Sequence, residues 1–246
     1  MKTNKIYLGN AYELIKQVPD KSVDLIITDP PYKIESIHGS GILNQGTNRK
    51  TYNELANTGL DLGIDLSILD DFVRVMKKIN IYIWCNKEQI IDYLDYFVKG
   101  KGCNWEMLIW AKKDPIPFCG THYLKDKEYC LYFWEQGATV YIPYDRGKTV
   151  YITQRNTFDK DKFEHPTIKP VDLLEVLIKN STDEQKRNGG GLLIFDPFVG
   201  SGSTCLAAKH LGCDYLGFEI NPTYYQIACD RLQGINARGE MNLFDI

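Results

Sequence analysis

In the stretch DLIITDPPYKI, residues 24–34, an apolar run stops abruptly at Asp29, Pro30, Pro31 and Tyr32. Two successive prolines lock the backbone and remove its amide donors, which makes the carbonyl of Pro30 a fixed acceptor next to the Asp29 carboxylate. A carboxylate and a bare carbonyl side by side can grip both hydrogens of an amine, while Tyr32 offers a flat face for stacking. The chemistry expected there is capture of an NH2 group carried by a ring. A second stretch, IFDPFVGSGSTCLAAK, ends a strand at Asp196, turns through Gly200 and Gly202, and opens a helix at Ser203 and Thr204 with unpaired amides and a positive dipole end. Cys205 stands where a dinucleotide fingerprint needs its third glycine, and no GK[ST] follows, so the turn reads as a pocket for a small zwitterionic or nucleoside ligand. Glu219 ends the next strand, at a place where an acidic side chain can meet ribose hydroxyls.

These residues stand at the ends of elements that the periodicity predicts. Strands are expected at residues 5–8 and 23–28 around a helix at 11–17, and at NIYIWC, NWEMLIWAKK and KEYCLYFWEQG. Helices are expected over DLSILDDFVRVMKKI and over NKEQIIDYLDYFVKG, the latter capped by Asn86 with Gln89 three residues on and Gly100 at its end. The last third alternates again: helix from Pro170, strand GLLIFD, helix STCLAAKHLG, strand DYLGFE, and a helix opened by Asn221 and Pro222. Strand–helix alternation at both ends of the chain predicts one α/β domain spanning 1–246, with a mostly parallel sheet and helices on both faces. Two stretches interrupt it. Residues 33–65 read as a mobile loop, and residues 135–164, polar with interleaved tyrosines and basic side chains, as a small target-recognition insertion.

Composition narrows the classes. The 246 residues are 43% hydrophobic and 25% charged, ordinary for a globular chain. No run of about 18 apolar residues and no secretory signal is written, which sets a cytoplasmic expectation with no membrane partner. Seven scattered cysteines without a CxxC pair read as reduced thiols, and four separated histidines argue for no metal. A net charge of −3 is compatible with a local basic patch that holds nucleic acid.

TDPPY, HPTIKP, DPFVGSGST and GFEIN together resemble the motifs of S-adenosylmethionine-dependent DNA amino-methyltransferases (N6-adenine or N4-cytosine), over residues 6–232. Their order, catalytic motif first and cofactor motif last, is similar to that of the beta group. The resemblance implies a Rossmann-like methyltransferase fold with a seven-stranded, mostly parallel sheet and circularly permuted motif order. It implies that Asp29, Pro30, Pro31 and Tyr32 receive the exocyclic amine of a base flipped out of double-stranded DNA. S-adenosyl-L-methionine would lie against Asp196, Phe198, Gly200, Ser201, Gly202, Ser203, Thr204, Glu219 and Asn221, with His165, Thr167 and Lys169 closing over its carboxylate end. The family usually has Gly-Asp after the first strand, whereas this chain has Gly9-Asn10, so an amide faces the cofactor's adenine and altered affinity is expected. Arg49 and Lys50 in the first interruption, and Arg146, Lys148 and Arg155 in the second, are the candidates for DNA contact. DPPY is more typical of adenine enzymes, so the expected activity is N6-adenine methylation of a specific site. The alternatives are N4-cytosine methylation, RNA or protein-glutamine methylation, and a non-catalytic DNA-binding subunit on the same fold. A homodimer and a restriction endonuclease counterpart are compatible with all the DNA readings.

Overall fold

The structure, a computed structural model, describes residues 1–32, 63–115, 123–154 and 168–235. Its strands are β1 (Lys5–Leu8), β2 (Leu25–Thr28), β3 (Asn80–Cys85), β4 (Asn104–Lys112), β5 (Lys127–Trp134), β6 (Val150–Thr153), β7 (Leu193–Asp196) and β8 (Asp214–Glu219). They form one sheet in the order β1-β8-β7-β2-β3-β5-β4-β6. The sheet thus has eight strands where seven were expected; the extra edge strand is β6, which pairs in parallel with β4 inside the segment read as an insertion. Only β5 runs against its neighbours β3 and β4. The expected α/β architecture, mostly parallel, is what the chain adopts.

The helices are α1 (Ala11–Leu14), α2 (Ile68–Val75), α3 (Ile90–Leu94), α4 (Val171–Ser181), α5 (Glu184–Gly189), α6 (Ser203–His210) and α7 (Pro222–Leu232). The first is shorter than expected because it tightens into a 3-10 turn over Ile15–Gln17. α3 loosens into a π-helical segment over Asp95–Gly100. Helix starts follow the sequence signals: Asn10 Oδ1 accepts from the amide of Tyr12, and Asn221 Oδ1 from those of Thr223 and Tyr224. Asn86 and Gln89 exchange hydrogen bonds reciprocally, each accepting from the other's backbone amide, at 3.2 and 3.3 Å.

β2 and β3 are buried along their whole length, so they read as apolar runs rather than alternations. Alternation still decides which layer each side chain enters. Ile26, Ile81 and Ile83 face the layer with Phe72, Phe97 and Phe218, whereas Leu25, Ile27, Tyr82 and Trp84 face the layer built from Leu173, Leu177 and Ala207. Each fully buried aliphatic or aromatic side chain contributes about 1.5–3 kcal/mol. Tyr82 and Tyr132 stack at 4.1 Å across β3 and β5, and hydrogen bonds to Ser181 and Asn80 satisfy their hydroxyls.

With both faces covered, ligand access is left to the sheet's ends. β1, β2, β3, β7 and β8 all point their carboxyl ends the same way, and reversed β5 brings its amino end to that same edge. The close packing behind this edge can be tested at Gly217 in β8, where an added Cβ would lie 2.3 Å from Val199 Cγ2 and 3.1 Å from Cys205 Sγ. Gly217→Ala is expected to cost about 1–3 kcal/mol of stability, read as a lowered midpoint in urea denaturation; an unchanged midpoint would show that the turn at Val199 yields freely.

Candidate active site

A cleft of about 860 Å³ opens at the carboxyl edge of the sheet. Asp29, Pro30, Pro31 and Tyr32 line one side, following β2. Asp196, Phe198, Gly200 and Glu219 line the other, following β7 and β8. The two sides are adjacent because β2 and β7 are paired in parallel, and Thr28 Oγ1 donates to Asp196 Oδ1 at 2.9 Å across that pairing.

The glycine turn is held from three directions. Glu219 Oε2 accepts from the amide of Gly200 and Oε1 from that of Asn221, both at 2.8 Å. From below, the Arg231 guanidinium, 2% exposed, donates to Ser203 Oγ at 2.7 Å and to the Ser201 carbonyl at 3.3 Å. Gly202 has φ +85°, and a Cβ there would meet Ala228 at 3.1 Å, so the turn needs glycine both for its left-handed backbone and for contact with α7.

Of the residues expected around a cofactor, Asn10, Lys169, Ser201, Ser203 and Thr204 line the cleft together with Asp196, Phe198, Gly200 and Glu219. Gly202 and Asn221 do not line it: the first packs against Ala228 and the second spends its side chain on the cap of α7. Asn10 commits Oδ1 to capping α1, which turns the amide nitrogen into its other polar end. His165, Thr167, Arg49, Lys50 and Arg155 lie outside the described residues. Arg146 and Lys148 do not line the cleft. The carbonyl of Arg146 accepts from Asn180 at the end of α4 remote from Lys169, which places it toward the opposite end of the sheet.

The acceptor motif is not bare. Asp29 Oδ1 accepts from the Tyr32 hydroxyl at 2.8 Å, and Asp29 Oδ2 is paired with the ammonium of Lys169. Gln89, 5% exposed, donates from Nε2 to the Pro31 carbonyl at 3.3 Å, while Pro30 lines the cleft. Burial, the negative charges of Asp29 and Glu128, and the hydrogen bond to Asp29 all push the Tyr32 phenol well above its ordinary value, so it remains a donor. Lys169, expected at the end of a cofactor, instead bridges Asp29 to Glu128, with 3.0 Å to Glu128 Oε2. Glu128 also binds Lys112 at 2.5 Å.

Glu128, Trp84 and Gln89 are site residues that the sequence reading passed over. Attention to strand carboxyl ends finds Asp29, Asp196 and Glu219, whereas Glu128 opens the one reversed strand. Among the described residues no group of three or more His, Cys, Asp or Glu could hold a metal ion, and no helix is long and apolar enough to cross a membrane.

The comparisons with known proteins follow this geometry. A family model described as DNA methylase matches residues 23–230, from the strand before Asp29 to the helix behind the glycine turn. The chain belongs to this DNA methylase family. It is 27% identical over 267 residues to the Type II methyltransferase M.HpaI of Haemophilus parainfluenzae, covering 98% of this chain and 76% of that protein. It is 24% identical to the Type II methyltransferase M.BamHI of Bacillus amyloliquefaciens, covering 88% of this chain but 54% of the relative. Among solved structures, the M1.HpyAVI–SAM complex aligns with a TM-score of 0.67 and 25% identity over 93% of this chain and 98% of that one. The protein is therefore an S-adenosylmethionine-dependent DNA amino-methyltransferase, with DNA as its substrate.

The two carboxylates beside the glycine turn share one perturbation. Burial raises Glu219, against the amides of Asn221, Gly200 and Ile220. Burial also raises Asp196 to about 7, against hydrogen bonds from Phe198, Thr204 and Thr28 and with a further push from the charge of Asp29. An aspartate raised in the folded state stabilises the fold less as pH climbs from its unfolded value, so its contribution falls between about pH 4 and about pH 7. Asp196→Asn keeps an Oδ1 acceptor for Thr28 and Phe198 and removes the buried charge. Its melting temperature relative to the parent is expected to rise between about pH 5 and about pH 8, and a constant difference across that range would place the charge elsewhere.

Proposed function

We propose that the protein transfers the methyl group of S-adenosylmethionine to the N6 amine of an adenine flipped out of double-stranded DNA at a specific site. The observation that carries this reading is the pairing of β2 with β7, which sets the Asp29–Pro30 acceptor pair and the Asp196–Glu219 turn on facing sides of one cleft.

The residues fit such a cofactor. Glu219 uses one lone pair on each oxygen for a backbone amide, and a carboxylate has others left for two ribose hydroxyls. Phe198, Phe218 and Ile220 give an apolar wall beside it, and the Asn10 amide supplies a donor that an aspartate could not. When bound there, S-adenosylmethionine supplies an electrophilic methyl group.

An aromatic amine is a poor nucleophile because its lone pair is shared with the ring. Asp29 and the Pro30 carbonyl accept its two hydrogens, which favours a pyramidal nitrogen with its lone pair directed outward and stabilises the positive charge that develops there. Two of the Asp29 lone pairs are taken by Tyr32 and Lys169, leaving the others for the amine. The rest of the catalysis is alignment of nitrogen and methyl group in one line. A duplex hides the amine, so the base must be turned into the cleft, at a cost of a few kcal/mol. The exposed side chains of Lys113, Lys125, Lys127 and Tyr123 stand around the cleft end of β4 and β5, and supply phosphate and stacking contacts on the side where the base enters.

Adenine is favoured over cytosine by the aspartate that opens the DPPY motif. The Type II names of the relatives support reading the chain as the modification half of a restriction–modification pair, with an endonuclease counterpart.

Incubation with unmethylated genomic DNA and S-adenosylmethionine, followed by nucleoside mass spectrometry, is expected to yield N6-methyladenine. N4-methylcytosine would keep the mechanism and overturn the base assignment. Asp29→Ala is expected to abolish turnover while calorimetry shows cofactor affinity nearly intact; loss of both together would remove Asp29 from its assigned role.

A further inference from the structure

The ammonium of Lys169 is enclosed by two carboxylates, Asp29 Oδ2 and Glu128 Oε2, and its side chain is 9% exposed. It lies 5.0 Å above the Trp84 ring, so its nearest surroundings offer little water to compete for it. Glu128 is in turn held at its other oxygen by Lys112, 2.5 Å away, and Lys112 lies 5.0 Å over the Trp110 ring. Four charges therefore alternate along one line: Lys112, Glu128, Lys169, Asp29. Two lysines, on strand β4 and just ahead of α4, alternate with two acids that open β5 and follow β2.

From this line we infer that Glu128 is a positioning residue for methyl transfer, acting on Asp29 through Lys169. The inference rests on the role proposed above for Asp29. A buried lysine with a single carboxylate partner would settle against it, and its positive charge would cancel the negative charge that the substrate amine needs. Glu128 divides the ammonium between two acids. It fixes Nζ so that one N–H points at Asp29 Oδ2 and the others are directed away, and it leaves Asp29 with more of its charge. The effect matters most when the amine nitrogen becomes positive, since stabilisation there grows with the charge remaining on Asp29. Lys112 holds the other oxygen of Glu128 and makes the line neutral as a whole. Glu128 stays ionised: burial opposes its charge, but Lys169 and Lys112 outweigh it and hold the carboxyl at about 2.

Three predictions separate this role from simple support of the fold. Glu128→Gln keeps the shape and removes the charge, leaving Asp29 as the one carboxylate paired with Lys169 among the described residues. Its kcat on unmethylated genomic DNA is expected to fall between about 10-fold and about 100-fold, while KM for DNA and the calorimetric Kd for S-adenosylmethionine stay within about twofold of the parent. Glu128→Asp keeps the charge on a shorter stem and is expected to lose less kcat than Glu128→Gln, again at unchanged Kd. A folded Glu128→Gln with parental kcat overturns the inference, as does a Glu128→Asp that loses as much kcat as Glu128→Gln; so does a parallel loss of kcat, cofactor affinity and melting temperature in both, which would mark Glu128 as structural. An unmodified parent protein that methylates no DNA would instead overturn the function on which the inference rests, and the inference with it.

Discussion

The site depends on one pairing: β2 beside β7, with Thr28 and Asp196 hydrogen-bonded across it although they are 168 residues apart in the chain. That contact places the end of one strand, with the Asp29–Tyr32 motif, against the end of another, with the glycine turn, the two sides proposed above to receive an amine and a cofactor. Everything else at the carboxyl edge is arranged around it. β8 lies on the far side of β7 and brings Glu219 under the turn; β3 lies on the far side of β2 and brings Trp84 and Gln89 under the acceptor motif.

Charge is handled differently on the two sides of the cleft. Beside the glycine turn, Asp196 and Glu219 are buried among backbone amides and hydroxyls with no ion pair to a cation among the described residues, and burial raises both. On the acceptor side, acids and lysines alternate, and Lys169 is raised despite its burial because Asp29 and Glu128 flank it. Among the described residues the first side holds acids without a paired cation, which suits the cationic cofactor proposed there, while the line of acids and lysines on the second is neutral as a whole. The division matches a reaction in which positive charge arrives with the cofactor and passes to an amine.

The sequence made the motif-bearing part of this arrangement legible because each motif sits where an apolar run ends. Asp29, Asp196 and Glu219 stand at the ends of buried strands, and the cap at Asn221 marks the helix behind the last of them. What escaped reading has physical reasons. Glu128 stands at the amino end of a reversed strand, and orientation is a property of the sheet, not of the residues KEYC. Edge strand β6 has four residues with only partial burial, too little alternation to show among polar neighbours. α5, EQKRNG, has no apolar face and is signalled only by Asp183, which accepts from the amide of Lys186. The lysine of HPTIKP was read from its motif as a cofactor ligand, whereas its side chain turns to the acids of β2 and β5, a direction no local pattern encodes.

The central pairing also sets how the chain must be built. β2 is made early and flanked by β3 soon afterwards, but its other edge has no partner until β7, in the last quarter of the chain, has been synthesised. Until then a largely apolar strand presents an open edge, which is the condition that favours pairing with the wrong strand or another chain. Long-range closure of this kind slows folding. It also ties the two sides of the cleft together: the complete cleft exists only once β2 and β7 have paired.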